Sequence, residues 1–312
     1  MKQLTFIFEK LEGNRLRMLG MFISVIIFVG ATLMSPLLFS FLIDHIIQLE
    51  PMSNPIHITL ARLFGGVDYL RNHLWVGGLL FLAISLISGI AMYFRGKLNG
   101  VISENVTIKI RDELYSHLQL LPYSYHVQAK TGDLIQRCTS DVDQIRRFLA
   151  AQVSELVYAI AIATIAAFVL FSIYAPLAWI AIISLPLIFG FAYIFFIKMQ
   201  KAFKASDESE GEMSTTIQEN LSGVRVVKAF NREEYEVIRF EEKNRKFRDL
   251  TYRLIHLLGM YWGISDFICL LQILAVVVSG VFMAQNGHIS VGNYFVFVSY
   301  VSMILWPVRN VG

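Results

Sequence analysis

Residues 156–197 read LVYAIAIATIAAFVLFSIYAPLAWIAIISLPLIFGFAYIFFI, 42 positions without an Asp, Glu, Lys or Arg. As one helix, at about 1.5 Å per residue, the run would measure roughly 63 Å. That is about twice the hydrocarbon thickness of a bilayer, so it cannot be a single crossing. Tyr174-Ala175-Pro176 supplies a break, since proline removes a backbone donor and disfavours helix in the residue before it. The stretch therefore divides into spans near 149–173 and 176–197.

Working outward, Met18–Ile43 is uncharged and Leu74–Phe94 lies between Arg71 and Arg95. The region Leu254–Val308 is interrupted by Asp266 and by the turn-like Gln285-Asn286-Gly287-His288. The predicted fold is all-α, with six transmembrane helices near 18–43, 74–94, 149–173, 176–197, 254–283 and 290–312. Composition agrees: 55% of the 312 residues are hydrophobic, 16% are charged, and the mean hydropathy is +0.56. Soluble domains carry about 25% charged residues, which excludes a water-soluble core, a disordered chain and a nucleic-acid binder. Cys138 and Cys269 are too few and too far apart for a disulfide framework or a metal site.

The net charge of +3 says little, but the placement of charge is informative. Of 27 Lys and Arg, 24 fall in residues 1–17, 95–147 and 198–253. Basic residues concentrate on the cytoplasmic side, so the N-terminus and both long connections are expected there in a cell (plasma) membrane. Residues 1–17 alternate apolar and charged positions, as in Leu4, Phe6, Ile7, Phe8 and Leu11 against Lys2, Glu9 and Lys10. They read as an amphipathic segment on that surface.

Connections 95–147 and 198–253 are too long for plain loops. Val106, Ile110, Leu114, Leu118 and Leu121 recur at helical spacing up to Pro122, so the second span continues far beyond the membrane. Gly132 is expected to break the chain, with Asp133 as N-cap and Gln136 closing a capping box. Leu134, Cys138, Val142, Ile145 and Leu149 would form the stripe of the returning helix. The second connection carries its own stripe of Ile217, Leu221, Val224 and Val227 around Gly223. Two stiff cytoplasmic hairpins suit a protein that carries motion from a cytoplasmic machine into the membrane.

Two strings are more specific. Tyr123-Ser124-Tyr125-His126, then Lys130-Thr131-Gly132-Asp133-Leu134-Ile135-Gln136-Arg137 and Asp141-Val142-Asp143, resemble the first intracellular hairpin of ATP-binding cassette (ABC) exporters. Glu219-Asn220-Leu221-Ser222-Gly223-Val224-Arg225-Val226-Val227-Lys228-Ala229-Phe230-Asn231-Arg232-Glu233 resembles the second. The resemblance covers nearly the whole chain, including Gly287-His288-Ile289-Ser290-Val291-Gly292 before the last span and Pro307 late in it.

That resemblance implies a six-helix membrane domain (18–312) that pairs with a second half-transporter, as a homodimer or heterodimer. Helices 4 and 5 would reach across to the partner. Short coupling helices at the hairpin tips would dock on nucleotide-binding domains. ATP-driven closure of those domains would switch the membrane helices between inward- and outward-facing states and export an unknown, multidrug-type or lipid substrate. By match, Tyr123, Tyr125, His126, Thr131, Gly132, Asp133, Arg137 and Asp141 belong to the first coupling region. Glu219, Leu221, Gly223, Val224, Val227, Lys228 and Phe230 belong to the second.

No G-x-x-x-x-G-K-[ST] phosphate loop occurs in these 312 residues. The expectation is a fragment or separated membrane domain that binds no cofactor and is not an enzyme on its own. ATP and Mg would belong to the missing nucleotide-binding domain. An integral-membrane enzyme and a non-transporting receptor or gate are the alternatives, but H-E-x-x-H and rhomboid-like G-x-S-G strings are absent. Within the spans, Asp266 is costly to bury and is a candidate for the substrate pathway, as are Tyr261 and Trp306. Glu155 reads as interfacial. Asp44, His45, His57 and His73 are too irregularly spaced to suggest a metal site.

Overall fold

A computed structural model describes residues 11, 13–48, 58, 66–129 and 131–311. Among these residues every regular element is helical. The chain runs α1 (Arg15–Phe41, continued by a π-helical turn, Leu42–Ile47), α2 (Val67–Asn72), α3 (Trp75–Leu120), α4 (Tyr123–Gln128) and α5 (Thr131–Gln136). It continues through α6 (Val142–Phe148), α7 (Ser154–Ile173), α8 (Ala175–Ile182), α9 (Ser184–Ala229), α10 (Glu233–Gln285) and α11 (Val291–Val311). Two further π-helical stretches, Arg137–Asp141 and Leu149–Val153, flank α6. The amphipathic segment expected at 1–17 lies largely outside the described residues, as does most of the loop after α1.

Five described helical stretches are long and apolar enough to cross a membrane: Arg15–Ile47, Trp75–Leu120, Thr131–Ile173, Ala175–Ala229 and Glu233–Gln285. A sixth helix, α11, carries a shorter apolar run, Val291–Pro307. The protein is an all-α polytopic membrane domain.

Helix lengths follow from where the breaks sit. α3, with 46 residues, extends about 69 Å, and Pro122 ends it. Leu121, before the proline, is extended at φ −73°, ψ 146°, as the proline ring requires of its predecessor. Past the end of α9 and its C-cap residue Phe230, Asn231 takes a φ of 51°, the left-handed conformation that closes a helix. The Arg232 amide donates to the Val227 carbonyl at 3.0 Å and the Asn231 amide to Lys228 at 3.3 Å. Together these bonds form a Schellman motif. Gly287 (φ 73°) repeats it at the end of α10, where the His288 amide donates to Met283 at 2.9 Å.

The described residues divide into two compact units. One contains the chain up to Ile182 together with 276–307 and Val311, and the other contains 183–275 and 308–310. In the first unit, Ile102, Val106 and Ile110 of α3 pack with Val142 and Leu149, joined by Leu11 and Met21. A second cluster gathers Leu38, Phe41, Ile46 and Leu70. The second unit holds an aromatic cluster of Phe191, Phe195 and Tyr261 beside Ala192.

Candidate coupling surfaces and membrane charges

The tip of the first hairpin is built by two chain breaks. After Pro122, α4 makes six helical residues and Ala129 leaves the helix at φ −76°, ψ 135°. His126 Nε2 lies 3.1 Å from the Leu118 carbonyl and ties α4 back to the end of α3. The side chains thereby thrown outward are large and apolar: Tyr123 is 83% exposed, and Leu120 and Val127 are also exposed. Tyr125, Gln128, Ala129, Asp133, Leu134 and Arg137 line an open depression beside them.

Thr131, Gly132 and Asp133 form the first turn of α5. Gly132 does not break the helix, and Asp133 lies inside it rather than ahead of it as an N-cap. A first-turn carboxylate still favours the helix dipole, which explains why the residue looked like a cap. Arg137 and Asp141 bound the π-helical stretch that follows. Behind the tip, Arg111 bonds Asp143 at 2.9 Å and Arg146 bonds Glu104 at 3.1 Å, linking α3 to α6.

The second hairpin lacks a separate short helix. Leu221, Gly223, Val224, Val227 and Lys228 all belong to the uninterrupted α9, and Phe230 is its C-cap residue. A Cβ placed on Gly223 would meet nothing within 4 Å, so its lack of a side chain is not required by any neighbour in the fold. In the stripe read from the sequence, Ile217, Leu221 and Val224 are exposed and Val227 is half-buried; beyond it, Phe230 is 74% exposed. The seam toward α10 is polar. Ser206 Oγ and Thr251 Oγ1 lie 2.9 Å apart, and Asn220 donates to Glu236 at 3.5 Å.

Ion pairs flank that seam. Glu212 accepts from Lys243 (3.1 Å) and Lys246 (3.0 Å), Glu219 from Arg239 (2.7 Å), and Glu233 from Lys228 (2.8 Å). Hydrogen bonds from Lys246 and Lys243 hold the Glu212 carboxyl below its ordinary range, and Lys228 does the same for Glu233. The bond to Glu219 raises Arg239. Val226, Val227, Phe230, Arg232, Tyr235 and Glu236 line a depression at the turn. Asn231 is the residue that sequence reasoning passed over, although Asn followed by two glutamates after Arg232 is a usable stop-and-restart signal.

Charges within the apolar stretches have partners that the sequence did not reveal. Asp266 pairs with Arg309 of α11, whose guanidinium lies 4.8 Å from the Trp262 ring. Asp266 and Arg309 stand roughly 19 and 18 residues from the helix ends beside the Gly287 turn, about 27–28 Å along each helix. The two charges therefore meet at one depth. Asp266 remains 59% exposed, whereas Tyr261 is buried against Phe191 and Phe195 and donates to the Arg309 carbonyl at 2.8 Å. Trp306 is exposed and belongs to the first unit.

Glu155 bonds Arg95 at 2.8 Å. Arg95 also donates from Nε to Ser154 Oγ at 2.8 Å and sits 5.0 Å from the Tyr158 ring. Asn99 donates to the Ala150 carbonyl within the neighbouring π-helical stretch. Among the described residues no group of three or more His, Cys, Asp or Glu is placed to hold a metal ion.

A model of the ABC transporter transmembrane region matches residues 18–308. The chain belongs to the ABC transporter transmembrane family. Among curated relatives, it is 30% identical over 257 residues to the uncharacterized ABC transporter ATP-binding protein YknU of Bacillus subtilis (strain 168), covering 82% of this chain and 44% of that protein. It is 28% identical over 232 residues to an ATP-dependent lipid A-core flippase of Syntrophus aciditrophicus (strain SB), covering 74% and 39%. A putative multidrug export ATP-binding/permease protein of Staphylococcus aureus (strain COL) is 26% identical over 287 residues, covering 90% and 47%. This ABC membrane domain thus spans less than half the length of these relatives.

Proposed function

We propose that this domain forms the membrane half of an ATP-driven exporter, moving an amphiphilic substrate by alternating access. The observation that carries the reading is the pair of hairpin tips. Each ends in a turn that exposes large apolar side chains, Tyr123 and Val127 on one and Phe230 and Tyr235 on the other. Apolar surface held out at the end of a rigid helix and beside ion pairs marks a protein interface. In this reading the occupants are nucleotide-binding domains, which supply the ATP and Mg. Their closure pushes on α4 and on the α9–α10 turn, and the stiff helices carry the displacement to the spans.

A partner membrane domain of the same kind completes the pathway. The grouping of most of α9 and α10 into their own compact unit supports an exchange of these two helices between partners. Asp266 is the pathway residue best placed to meet a polar group, with Arg309 as its counter-charge and Tyr261 and Trp262 as aromatic support; Trp306 is a separate candidate. The relatives named for lipid A-core flipping and multidrug export support an amphiphilic cargo.

The N-terminus and both hairpins face the cytoplasm in this reading. Single cysteines replacing Ser124 and Arg225 are expected to react with an impermeant maleimide only from the cytoplasmic side. One replacing Pro55 should react only from outside. Reaction of position 55 from the cytoplasm would contradict the orientation.

A further inference from the structure

Asp44 lies in the π-helical turn at the end of α1 and is 2% exposed. Its carboxylate is spent on the start of α11. Oδ1 accepts the Gly292 amide at 2.7 Å, and Oδ2 accepts the hydroxyls of Ser290 at 2.6 Å and Ser40 at 3.2 Å. Ser290 Oγ meanwhile accepts the Asn293 amide at 3.1 Å, so one hydroxyl both caps α11 and donates to Asp44. The first amides of a helix lack internal acceptors and favour a negative charge. Here that charge arrives from another span.

The fit is close. A Cβ on Gly292 would fall 2.5 Å from Asp44 Oδ2 and 2.6 Å from Ser40 Oγ, so only glycine lets the α11 backbone approach this near. Below the knot the same two helices meet through neutral contacts. Phe39 and Phe295 rings lie 4.5 Å apart, and the Tyr300 hydroxyl donates to the Leu33 carbonyl at 2.6 Å.

The chemistry of the knot differs from that of the seam below it. A buried carboxylate with three donors holds strongly while water is excluded, because charge-assisted bonds strengthen in a low dielectric. Once water reaches it, water hydrogen bonds replace those bonds at little net cost. A dry mouth therefore stays shut, and a wetted mouth can part.

We infer that Asp44 is a latch joining the Gly287-side ends of α1 and α11, closed in the resting transporter and released when that end opens. It acts as a positioning residue for the transport cycle and touches no substrate. The inference rests on the alternating-access reading above.

The test uses the natural polypeptide that carries this domain, assembled with its ATPase in membranes, and a cysteine replacing the fully buried Val296. With the latch intact, Val296→Cys should be protected at rest and react with maleimide when nucleotide is trapped. Asp44→Ala removes all three of these hydrogen bonds, and Gly292→Ala keeps the carboxylate but forces the helices apart. Each should raise the resting labelling rate about tenfold or more while leaving the trapped-state rate unchanged. Cysteine at Val106, buried in the hairpin core, should stay protected in both variants. Continued protection of Val296→Cys at rest in both variants would overturn the latch. So would parallel exposure of Val106→Cys, which would make Asp44 a general stability residue. Supplying the reagent to each face separately keeps the orientation distinct, because a reversed domain would still show the same difference between variants.

Discussion

The first hairpin closes on Ile102, Val106, Ile110, Val142 and Leu149, whereas the second closes on Ser206, Thr251, Asn220 and Glu236 with ion pairs along its edges. The first is also segmented, passing through α4, α5, α6 and two π-helical stretches, while the second is two unbroken helices of 46 and 53 residues. These differences belong together. Short helices have few internal bonds and are marginal alone, so burial must hold them in place. Long continuous helices keep their shape from their own ladder, and modest polar contacts suffice to set their register. The returning arm of the first hairpin is thus held by packing against α3, and both arms of the second by helix continuity.

The contrast breaks most visibly if the first seam is emptied. Ile110→Ala should destabilise the first hairpin by about 2–5 kcal/mol, as expected for a large-to-small change in a packed core. Denaturant melts of the purified domain would read this as a lower midpoint. No single polar-to-Ala change in the α9–α10 seam should match it.

A smaller effect of opposite sign sharpens the picture of α9. Gly223 is an interior helical glycine with open space where a Cβ would lie. Gly223→Ala should therefore stabilise the second hairpin by about 1 kcal/mol through helix propensity alone, raising the same midpoint. A loss of stability would show that the backbone there is not a plain helix.

The smallest effect concerns charge. Glu212 is held below the ordinary carboxyl range by its two lysines, so its folded-state pKa is lower than in the unfolded chain. Its contribution is complete above the unfolded carboxyl pKa of about 4.3 and disappears as pH falls through the depressed folded value. Acid should thus loosen the second hairpin, and Glu212→Gln should remove that part of the pH dependence. Added salt should weaken the same ties by screening. Hydrogen exchange measured separately on the two hairpins would check this, with the apolar first seam expected to respond less.

Much of this fold is legible in the sequence because membrane spans and apolar seams announce themselves by run length and period. The 42-residue uncharged run demanded a break at Tyr174, and the helix ends there. Val106, Ile110, Val142 and Leu149 kept their helical spacing and are buried together. The second hairpin was harder to read. Of its apolar stripe, Ile217, Leu221 and Val224 are exposed and only Val227 is half-buried, while small polar residues and ion pairs join α9 to α10. Periodicity reports an apolar face without saying what covers it.

The misread breaks have similar causes. Gly132 is a permissive residue, and nothing in α5 requires a left-handed backbone there; at the second hairpin the turn comes from Asn231, which local pattern did not single out. The partners of Asp266, Glu155 and Asp44 come from spans 43, 60 and 248 residues away in sequence or thereabouts, beyond any local pattern.

The central claim is that the two tips transmit ATP-driven motion, and a double substitution, Tyr123→Ala with Phe230→Ala, tests it most directly. Both side chains are exposed and pack little within the domain, so stability should stay within about 0.5 kcal/mol. In the natural polypeptide assembled with its nucleotide-binding domains, the measurement is ATP hydrolysis with and without transported substrate, alongside nucleotide binding. The account predicts that nucleotide binding and the melting midpoint persist while substrate stimulation of hydrolysis is lost. Undiminished stimulation in the double variant would contradict it.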